Sequence, residues 1–233
     1  HGTYFKGDEG NKAVICFHGY TSEELNDYGS LSHYYLKHGF RMLLIDLRAH
    51  GKSEGEHIGF GNMDRLDGMR WVQWMVEKMG EDAQILLHGN SMGSATVCMM
   101  SGLELPPQVK GIISDCAFTS MKEVFTHVLH SMYHIPAFPM LQIADWANKR
   151  QVGYGLDDLS SAREVRKAKV PFLFIHGEDD VFVPCWMTEE IYKNCASPKT
   201  KLTVKGAGHG ESYYTDTEAY ERAMDFFLGG IIK

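Results

Sequence analysis

The amino-acid sequence predicts an α/β protein built on an open, doubly wound and mostly parallel sheet. Two observations support this fold class: short apolar segments alternate with helical patterns, and most of those segments are nearly continuous apolar runs. Strands that helices cover on both faces show such runs, because neither face meets water. The chain has 233 residues, enough for one sizeable core, so we expect a single domain over residues 1–233.

The predicted elements alternate regularly along the chain. Six segments are predicted as strands: Ala13–Phe17, Arg41–Leu47, Ala83–His88, Val109–Asp115, Val170–His176 and Thr200–Lys205. Gly2–Lys6 has the pattern of a further short strand. Helical patterns lie between the strands over Leu25–His38, Asn62–Met79, Ser91–Leu103, Met187–Asn194 and Asp216–Phe227. Ligands of doubly wound sheets bind beyond the carboxyl ends of the strands, so we expect the functional site there.

One segment, residues 118–168, is longer than a crossover helix requires. It is rich in large apolar side chains and is interrupted by Pro136 and Pro139. Its length and its position after a strand predict a helical cap over the site. The alternative is that these side chains extend the core. The side chains expected to line a substrate pocket are Phe118, Met121, Phe125 and, from a later loop, Phe182.

Composition and charge argue against several classes of partner. The formal net charge is −7 and like charges form no block, so nucleic acid is not expected to bind. Apolar runs are short, as at Met42–Ile45, so no segment is predicted to cross a bilayer. Five cysteines without a CxxC pair indicate reduced thiols and a cytoplasmic location, and no obligatory protein partner is evident. Because the chain begins at His1, membrane anchoring through a segment outside this sequence stays open.

A G-x-S-x-G pentapeptide at residues 89–93 lies between an apolar strand and a helix, which predicts Ser91 as a nucleophile. Small flanking residues let the backbone turn tightly there, and the helix that follows directs amide groups toward a developing oxyanion. The same pattern recurs around Ser53, but a loop follows that serine rather than a helix. The remaining alternative for Ser91 is a structural helix N-cap.

A serine hydroxyl needs a general base, and that base needs a partner that orients it. In this strand–serine–helix arrangement the chain order is serine, then acid, then histidine. His209 is the histidine that follows the candidate acids, in a glycine-rich loop after the last strand. Asp180 is the favoured acid because of its spacing to the Val-Pro pair that follows, while Asp179 and Glu178 remain alternatives.

The oxyanion of an acyl-transfer intermediate needs two hydrogen-bond donors. The backbone amide of Met92, directly after the nucleophile, is expected to supply one of them. The loop after the strand Ala13–Phe17 is expected to supply the other, and we assign it to the backbone amide of Tyr20.

Together these motifs resemble the α/β-hydrolase superfamily. They occur in the family's order at residues 18–19 (HG), 46–53 (DLRAHGKS), 89–93 (GNSMG), 176–184 (HGEDDVFVP) and 206–210 (GAGHG). Residues 115–120 and 132–139 are similar to a group of poorly characterised bacterial hydrolases, related to prolyl-oligopeptidase-like and small carboxylesterase families. The resemblance implies the α/β-hydrolase fold with an eight-stranded sheet, for whose first one or two strands this chain lacks room. Several such relatives carry an N-terminal anchor or leader.

These residues predict a serine hydrolase that cleaves carboxylic esters with short to medium apolar or aromatic acyl groups. The partner is a small-molecule ester, and neither a cofactor nor a metal is expected, because the histidines lie in separate loops and strands. Asp46, Arg48 and His50 are expected to structure the loop beside the site. Two alternatives stay open: an amide or thioester hydrolase of peptidase-like character, and a ligand-binding protein on a hydrolase scaffold.

Overall fold

The computed structural model describes residues 1–7 and 10–232, and a seven-stranded sheet crosses this part of the chain. The strands are β1 (Gly2–Phe5), β2 (Lys12–Phe17), β3 (Arg41–Ile45), β4 (Gln84–Asn90), β5 (Val109–Asp115), β6 (Phe172–Gly177) and β7 (Lys199–Val204). Their order across the sheet is β1-β3-β2-β4-β5-β6-β7. Only the β1–β3 pair is antiparallel among these strands, which confirms the predicted mostly parallel sheet.

Helices cover both faces of the sheet. They are α1 (Glu24–Tyr28), α2 (Ser32–Lys37), α3 (Asp64–Met79), α4 (Met92–Met100), α5 (Met121–Ser131), α6 (Ala137–Val152), α7 (Ser161–Glu164), α8 (Trp186–Asn194), α9 (Ser212–Thr215) and α10 (Thr217–Ile231). None of the helices in the described ranges is both long and apolar enough to cross a bilayer.

Two core layers lie on opposite faces of the sheet, and alternate side chains of one strand enter different layers. In β2, Ile15 and Phe17 belong to the core layer that contains side chains of α3, α4 and α8, whereas Val14 and Cys16 belong to the layer that contains side chains of α1, α2 and α10. Successive side chains of a strand point to opposite faces, so both faces of β2 must be apolar. The apolar runs in the sequence therefore follow from burial on both sides.

The single helix predicted over Leu25–His38 is wrong, because the structure has two helices there. α1 ends at Tyr28 and α2 begins at Ser32. The turn between them is closed by Ser32 Oγ, which donates to the carbonyl of Gly29 at 2.6 Å. Both helices bury their tyrosines against the same face of the sheet. The spacing of apolar residues therefore continues across the break and does not reveal it.

Residues 118–168 contain the helices α5, α6 and α7. α5 and α6 follow the carboxyl end of β5 in the chain and pack against each other. Trp146 and Ile143 of α6 are each 62% exposed, so this helix does not extend the core. By contrast, Ala162 of α7 and the following Val165 are buried in the main core against α4. The end of the segment is thus part of the layer that covers the sheet.

The register of the parallel strands brings their carboxyl ends to one edge. Phe17 lies opposite Gly89, and Asn90 lies opposite Asp115. Gly177 of β6 lies opposite Val204 of β7. The loops that follow β2, β4, β6 and β7 therefore meet at this edge, although they are far apart in the chain.

Candidate active site

Ser91 occupies a strained turn between β4 and α4. Its backbone has φ 51° and ψ −111°, a conformation that residues other than glycine rarely adopt. The turn is so tight that a Cβ on Gly89 would lie 2.3 Å from the carbonyl oxygen of Gly93. The Ser91 amide donates to the carbonyl of Asp115 at 2.9 Å, which ties the turn to the neighbouring strand. This geometry holds the Ser91 side chain at the carboxyl edge of the sheet.

His209 lies in the loop between β7 and α9, and its imidazole contacts two of the predicted site residues. Nε2 lies 2.8 Å from Ser91 Oγ, and Nδ1 lies 2.7 Å from Asp180 Oδ2. If Nδ1 carries the proton, Nε2 is left free to accept the serine proton. The structure therefore brings Ser91, His209 and Asp180 into one hydrogen-bonded chain.

Asp180 is the buried member of this chain. Its Oδ1 accepts the amides of Phe182 at 2.9 Å and Val183 at 2.8 Å. Burial by itself raises the pKa of Asp180, but the hydrogen bonds from His176 and His209 outweigh that effect and lower the pKa to about 2. The carboxylate is thus ionised at neutral pH. The alternative acids Glu178 and Asp179 are exposed on the same loop, and neither is hydrogen-bonded to His209 in the described structure.

His176 is a contact of Asp180 that the sequence analysis did not single out. Its Nε2 lies 3.2 Å from Asp180 Oδ2 and 2.7 Å from the carbonyl of Val183, and its Nδ1 lies 2.7 Å from Thr188 Oγ1. The ring is fully buried. It therefore helps to hold the loop that carries Asp180, and it contacts the same carboxylate oxygen as His209. The signal in the sequence was the His-x-x-x-Asp spacing within residues 176–180.

The two predicted oxyanion donors belong to residues that line the same pocket as Ser91. Met92 begins α4, and Tyr20 lies in the loop after β2. Within residues 1–7 and 10–232, neither amide has a backbone or side-chain acceptor, so both are available to a ligand. The loop approaches closely: a Cβ on Gly19 would lie 3.3 Å from Ser91 Cβ.

An apolar pocket of about 370 Å³ opens beside Ser91. Its lining residues are Tyr20, Phe60, Ser91, Met92, Phe118, Val124, Phe125, Val128, Tyr133, Phe182 and Val183. The size is that of a site for a small organic ligand. Phe118, Phe125 and Phe182 line it as predicted, whereas Phe60 and Tyr133 were not singled out from the sequence.

The predicted pocket residue Met121 lies elsewhere. It begins α5 and packs with Leu141 and Leu156, between α5 and α6. Phe60 takes part in the pocket instead, because it stacks on Tyr20 with ring centroids 5.3 Å apart and meets Phe125 edge-on at 5.2 Å. Phe60 comes from the loop before α3, and no pattern in the sequence connects that loop with α5.

A sequence profile of the α/β-hydrolase fold family matches residues 12–135, more than half of the chain. The chain belongs to the α/β-hydrolase family. The uncharacterised protein YqkD of Bacillus subtilis is 31% identical over 221 residues, which are 95% of this chain and 72% of YqkD. The lysophosphatidylserine lipase ABHD12 of Danio rerio is 24% identical over 70% of this chain and 41% of its own length.

Solved structures agree with this α/β-hydrolase assignment at the level of the fold. The esterase Pf2001 of Pyrococcus furiosus superposes with a TM-score of 0.78 at 21% identity, over 97% of this chain and 85% of the esterase. Seven strands cross the described part of this chain, and the sheet is mostly parallel, as the resemblance implies.

The loop with the pattern DLRAHGKS, residues 46–53, contacts the neighbourhood of the site. Asp46 accepts the amide of Lys52 at 2.9 Å, and Arg48 pairs with Asp67 at 2.7 Å. His50 Nε2 accepts the amide of Thr21 at 3.2 Å, beside the candidate oxyanion donor. Ser53, the second serine in a G-x-S-x-G pattern, donates to the carbonyl of Asp46 at 2.6 Å, and no histidine side chain within residues 1–7 and 10–232 is hydrogen-bonded to it.

A buried polar network lies behind the nucleophile of this α/β-hydrolase. Tyr220 donates to Asp115 at 3.0 Å and lies 3.2 Å from His88 Nε2, while Tyr35 lies 2.7 Å from His88 Nδ1. Burial raises the pKa of Asp115 to about 6, although the hydrogen bond from Tyr220 and the charges of nearby histidines oppose the rise. Burial lowers the pKa of His88 to about 3. No sequence pattern reveals this network, because its members come from four separate elements.

Cys116 lies close to Asp180 and His209. Its sulfur, Asp180 and His209 offer potential metal-ligand atoms within 4.8 Å of one another. The thiol donates to Asn90 Oδ1 at 3.3 Å, and the other two groups are hydrogen-bonded to each other. Burial raises the pKa of the Cys116 thiol well above its usual range, so it is not a thiolate at neutral pH. The hydrogen bonds account for this grouping without a metal.

Proposed function

We propose that this chain is a serine hydrolase that cleaves carboxylic esters through an acyl-enzyme at Ser91. The observation that carries the proposal is the position of His209, whose ring nitrogens lie 2.8 Å from Ser91 Oγ and 2.7 Å from Asp180 Oδ2. An isolated serine hydroxyl is a weak nucleophile, and a base at hydrogen-bond distance removes its proton as it attacks. Membership of the α/β-hydrolase family supports the same conclusion.

The first half of the reaction forms the acyl-enzyme. Ser91 Oγ attacks the ester carbonyl while its proton passes to His209 Nε2. The carbonyl oxygen becomes an oxyanion, which accepts hydrogen bonds from the amides of Met92 and Tyr20. Asp180 stabilises the imidazolium ion formed at this stage. The tetrahedral intermediate collapses, His209 Nε2 gives its proton to the departing alkoxide, and an alcohol leaves.

The second half releases the acid. A water molecule loses a proton to His209 Nε2 and attacks the acyl carbonyl, which regenerates the oxyanion between the same two amides. The bond from the carbonyl carbon to Ser91 Oγ then breaks, and Oγ recovers the proton from His209. The products are a carboxylic acid and the free enzyme.

The pocket indicates the class of acyl group. It holds about 370 Å³, and aromatic or aliphatic side chains such as Phe118, Phe125 and Val128 form most of its wall. Such a wall favours a short to medium apolar or aromatic acyl group, since burying apolar surface contributes roughly 25 cal/mol per Å². Ester rather than amide cleavage is favoured because similar proteins include an esterase of Pyrococcus furiosus and a monoacylglycerol lipase of Paleococcus ferrophilus.

A fluorophosphonate probe tests the nucleophile. It phosphonylates an activated serine with loss of fluoride, so mass spectrometry of the labelled protein should place the adduct on Ser91. Ser91→Ala should abolish labelling and lower kcat by about 10⁴-fold or more. Ser53→Ala, in the second G-x-S-x-G pattern, is the matched control and should label like the wild type. A folded wild-type protein that takes no adduct would contradict the proposal.

A panel of substrates tests the reaction class. p-Nitrophenyl esters of increasing acyl length, the matching thioesters and aminoacyl p-nitroanilides share one type of tetrahedral intermediate. We expect turnover of the esters with a maximum at short to medium acyl length. Faster turnover of anilides or thioesters would replace the ester assignment while leaving the serine mechanism in place. Ligand binding without turnover, unchanged in Ser91→Ala, would identify a binding protein instead.

A further inference from the structure

The loop that carries the Tyr20 amide is held by side chains on both sides of that residue. The amide of Gly19, directly before it, donates to Asp27 Oδ2 at 2.6 Å. The amide of Thr21, directly after it, donates to His50 Nε2 at 3.2 Å. Thr21 has φ 54°, a conformation that is strained for residues other than glycine. Hydrogen bonds to residues outside the loop must therefore hold this backbone in place. Two of three successive amides are thereby occupied, and the amide of Tyr20 remains available between them.

Asp27, a residue of α1, has further contacts that reach beyond this loop. Its Oδ1 accepts the hydroxyl of Ser22 at 2.6 Å, and its Oδ2 also accepts the side-chain amide of Asn90 at 3.0 Å. Asn90 immediately precedes Ser91 in the nucleophile turn. One carboxylate therefore connects the loop after β2 with the turn after β4.

The orientation of the Asn90 side chain is set from its other end. Asn90 Oδ1 accepts the thiol of Cys116 at 3.3 Å, so Nδ2 is the group left to face Asp27. Asp27 then meets only donors: two N–H groups and one hydroxyl. A carboxylate can accept all three, because each of its oxygens has two acceptor positions. An asparagine at this position would offer one acceptor oxygen and would turn an N–H group toward other donors.

We propose that Asp27 is a positioning residue that sets the separation of the two oxyanion donors, the amides of Tyr20 and Met92. The inference rests on the proposed function of the site. Asp27 does not touch Ser91 or His209 in the hydrogen-bond network of the described residues, so it acts through Gly19 and Asn90. An oxyanion hole depends on donors fixed in advance at about 3 Å from the oxyanion, and misplacement by about 1 Å costs roughly 10²-fold in rate.

A positioning role has a kinetic signature that a purely structural role lacks. The two amides bind the oxyanion, which exists in the tetrahedral intermediate and not in the bound ester. Loosening them should therefore lower kcat and leave KM nearly unchanged. Affinity for a trifluoromethyl ketone should fall in parallel with kcat, because its adduct with Ser91 carries an oxyanion at the same place. Affinity for the alcohol product should not fall, because it carries no oxyanion for the two amides to bind.

The test compares Asp27→Asn with the matched control Asp225→Asn. Asp225 lies on α10 and accepts the hydroxyl of Tyr34 at 2.6 Å. Like the test variant, the control therefore replaces a charged hydrogen-bond acceptor by a neutral amide. With a p-nitrophenyl ester of preferred acyl length, Asp27→Asn should lower kcat by about 10- to 100-fold and change KM less than about threefold. The trifluoromethyl ketone inhibition constant should rise by a similar factor. The control should stay within about twofold of the wild type.

The outcomes separate this inference from the proposed function. A wild-type protein with no ester turnover and no fluorophosphonate adduct contradicts the proposed function itself. An active wild type with Asp27→Asn unchanged in kcat, or changed in KM alone, overturns the positioning role. If Asp27→Asn does not fold, Ser22→Ala removes one of the three donors and should lower kcat by about three- to tenfold with the same loss of ketone affinity. Unchanged kinetics in that variant would also overturn the inference.

Discussion

The carbonyl oxygen of Phe17 occupies the space in which a side chain on Gly93 would begin. A Cβ built on Gly93 would lie 1.9 Å from that oxygen. Phe17 ends β2, and Gly93 lies in the first turn of α4, so the backbones of the two elements are in direct contact. This contact determines how closely the loop with Tyr20 approaches the turn with Ser91.

Gly93→Ala is therefore expected to disrupt both the fold and the site. The added methyl group meets backbone atoms that cannot move without shifting β2 or α4, and we expect a loss of about 3 kcal/mol or more in the free energy of unfolding. Gly229→Ala is the control, since nothing lies within 4 Å of a Cβ at that position in α10. It should stabilise the protein by about 0.5–1 kcal/mol. Thermal unfolding and ester turnover check both variants, and a stable, active Gly93→Ala would contradict the close contact.

Asp180→Asn tests which of three acidic residues orients His209. An amide cannot stabilise the imidazolium ion and can hold the wrong tautomer, so kcat should fall by roughly 10⁴-fold while the protein remains folded. Asp179→Asn is the matched control, because Asp179 is the exposed neighbour on the same loop. Its kcat should remain within about twofold of the wild type. A larger loss in Asp179→Asn than in Asp180→Asn would assign the acid to residue 179.

The low pKa of Asp180 makes part of the folding stability dependent on pH. The pKa is about 2 in the folded protein against an ordinary value of 3.8, so the native state favours the ionised form. This contribution is fully present above about pH 4 and is lost as pH falls toward 2, and it amounts to about 2 kcal/mol. Denaturant unfolding of wild type and Asp180→Asn should show a stability difference that narrows between pH 4 and pH 2. A constant difference would contradict the shifted pKa.

Asp115 should have the opposite pH dependence. Its pKa is raised to about 6, chiefly by burial, so it contributes stability below pH 4 that is lost as pH rises through 6. Asp115→Asn cannot ionise. The unfolding free energy of this variant, relative to wild type, should therefore increase by about 3 kcal/mol between pH 4 and pH 8. Parallel stability curves for the two proteins would show that Asp115 does not titrate in this range.

The pocket can be tested with two residues of one helix. Phe125 lines the pocket, whereas Met121, one turn earlier in α5, packs against Leu141 and Leu156. Phe125→Ala enlarges the pocket, so kcat/KM should fall about tenfold for short acyl esters and shift in favour of longer ones. Met121→Ala should cost about 2 kcal/mol of stability and leave the preference for acyl length unchanged. If both variants changed the preference for acyl length in the same way, Met121 and Phe125 would not have these different roles.

The sequence was most informative where a physical requirement is local. A nucleophile turn needs small residues around Ser91 and a strand and helix on either side, and all of these are contiguous in the chain. The strand pattern was equally clear for the five inner strands, β2 to β6, because these are buried on both faces. The pattern did not show the break between α1 and α2, since both helices bury the same face. The sequence pattern also did not distinguish Met121 from Phe125. Both side chains are large and apolar, and they differ only in which residues pack against them in the folded protein.

The alternation of apolar segments with helical patterns was thus enough to predict the parallel sheet, and the order of motifs was enough to nominate Ser91, Asp180 and His209. The tertiary structure decided which groups surround them: His176 behind Asp180, Phe60 across the pocket, and Asp27 between Gly19 and Asn90. These contacts join loops that are adjacent only because parallel strands bring their carboxyl ends to one edge. A local sequence pattern reflects the burial and backbone conformation of its own segment. Distances across that edge depend on strand order and register, which no single segment specifies.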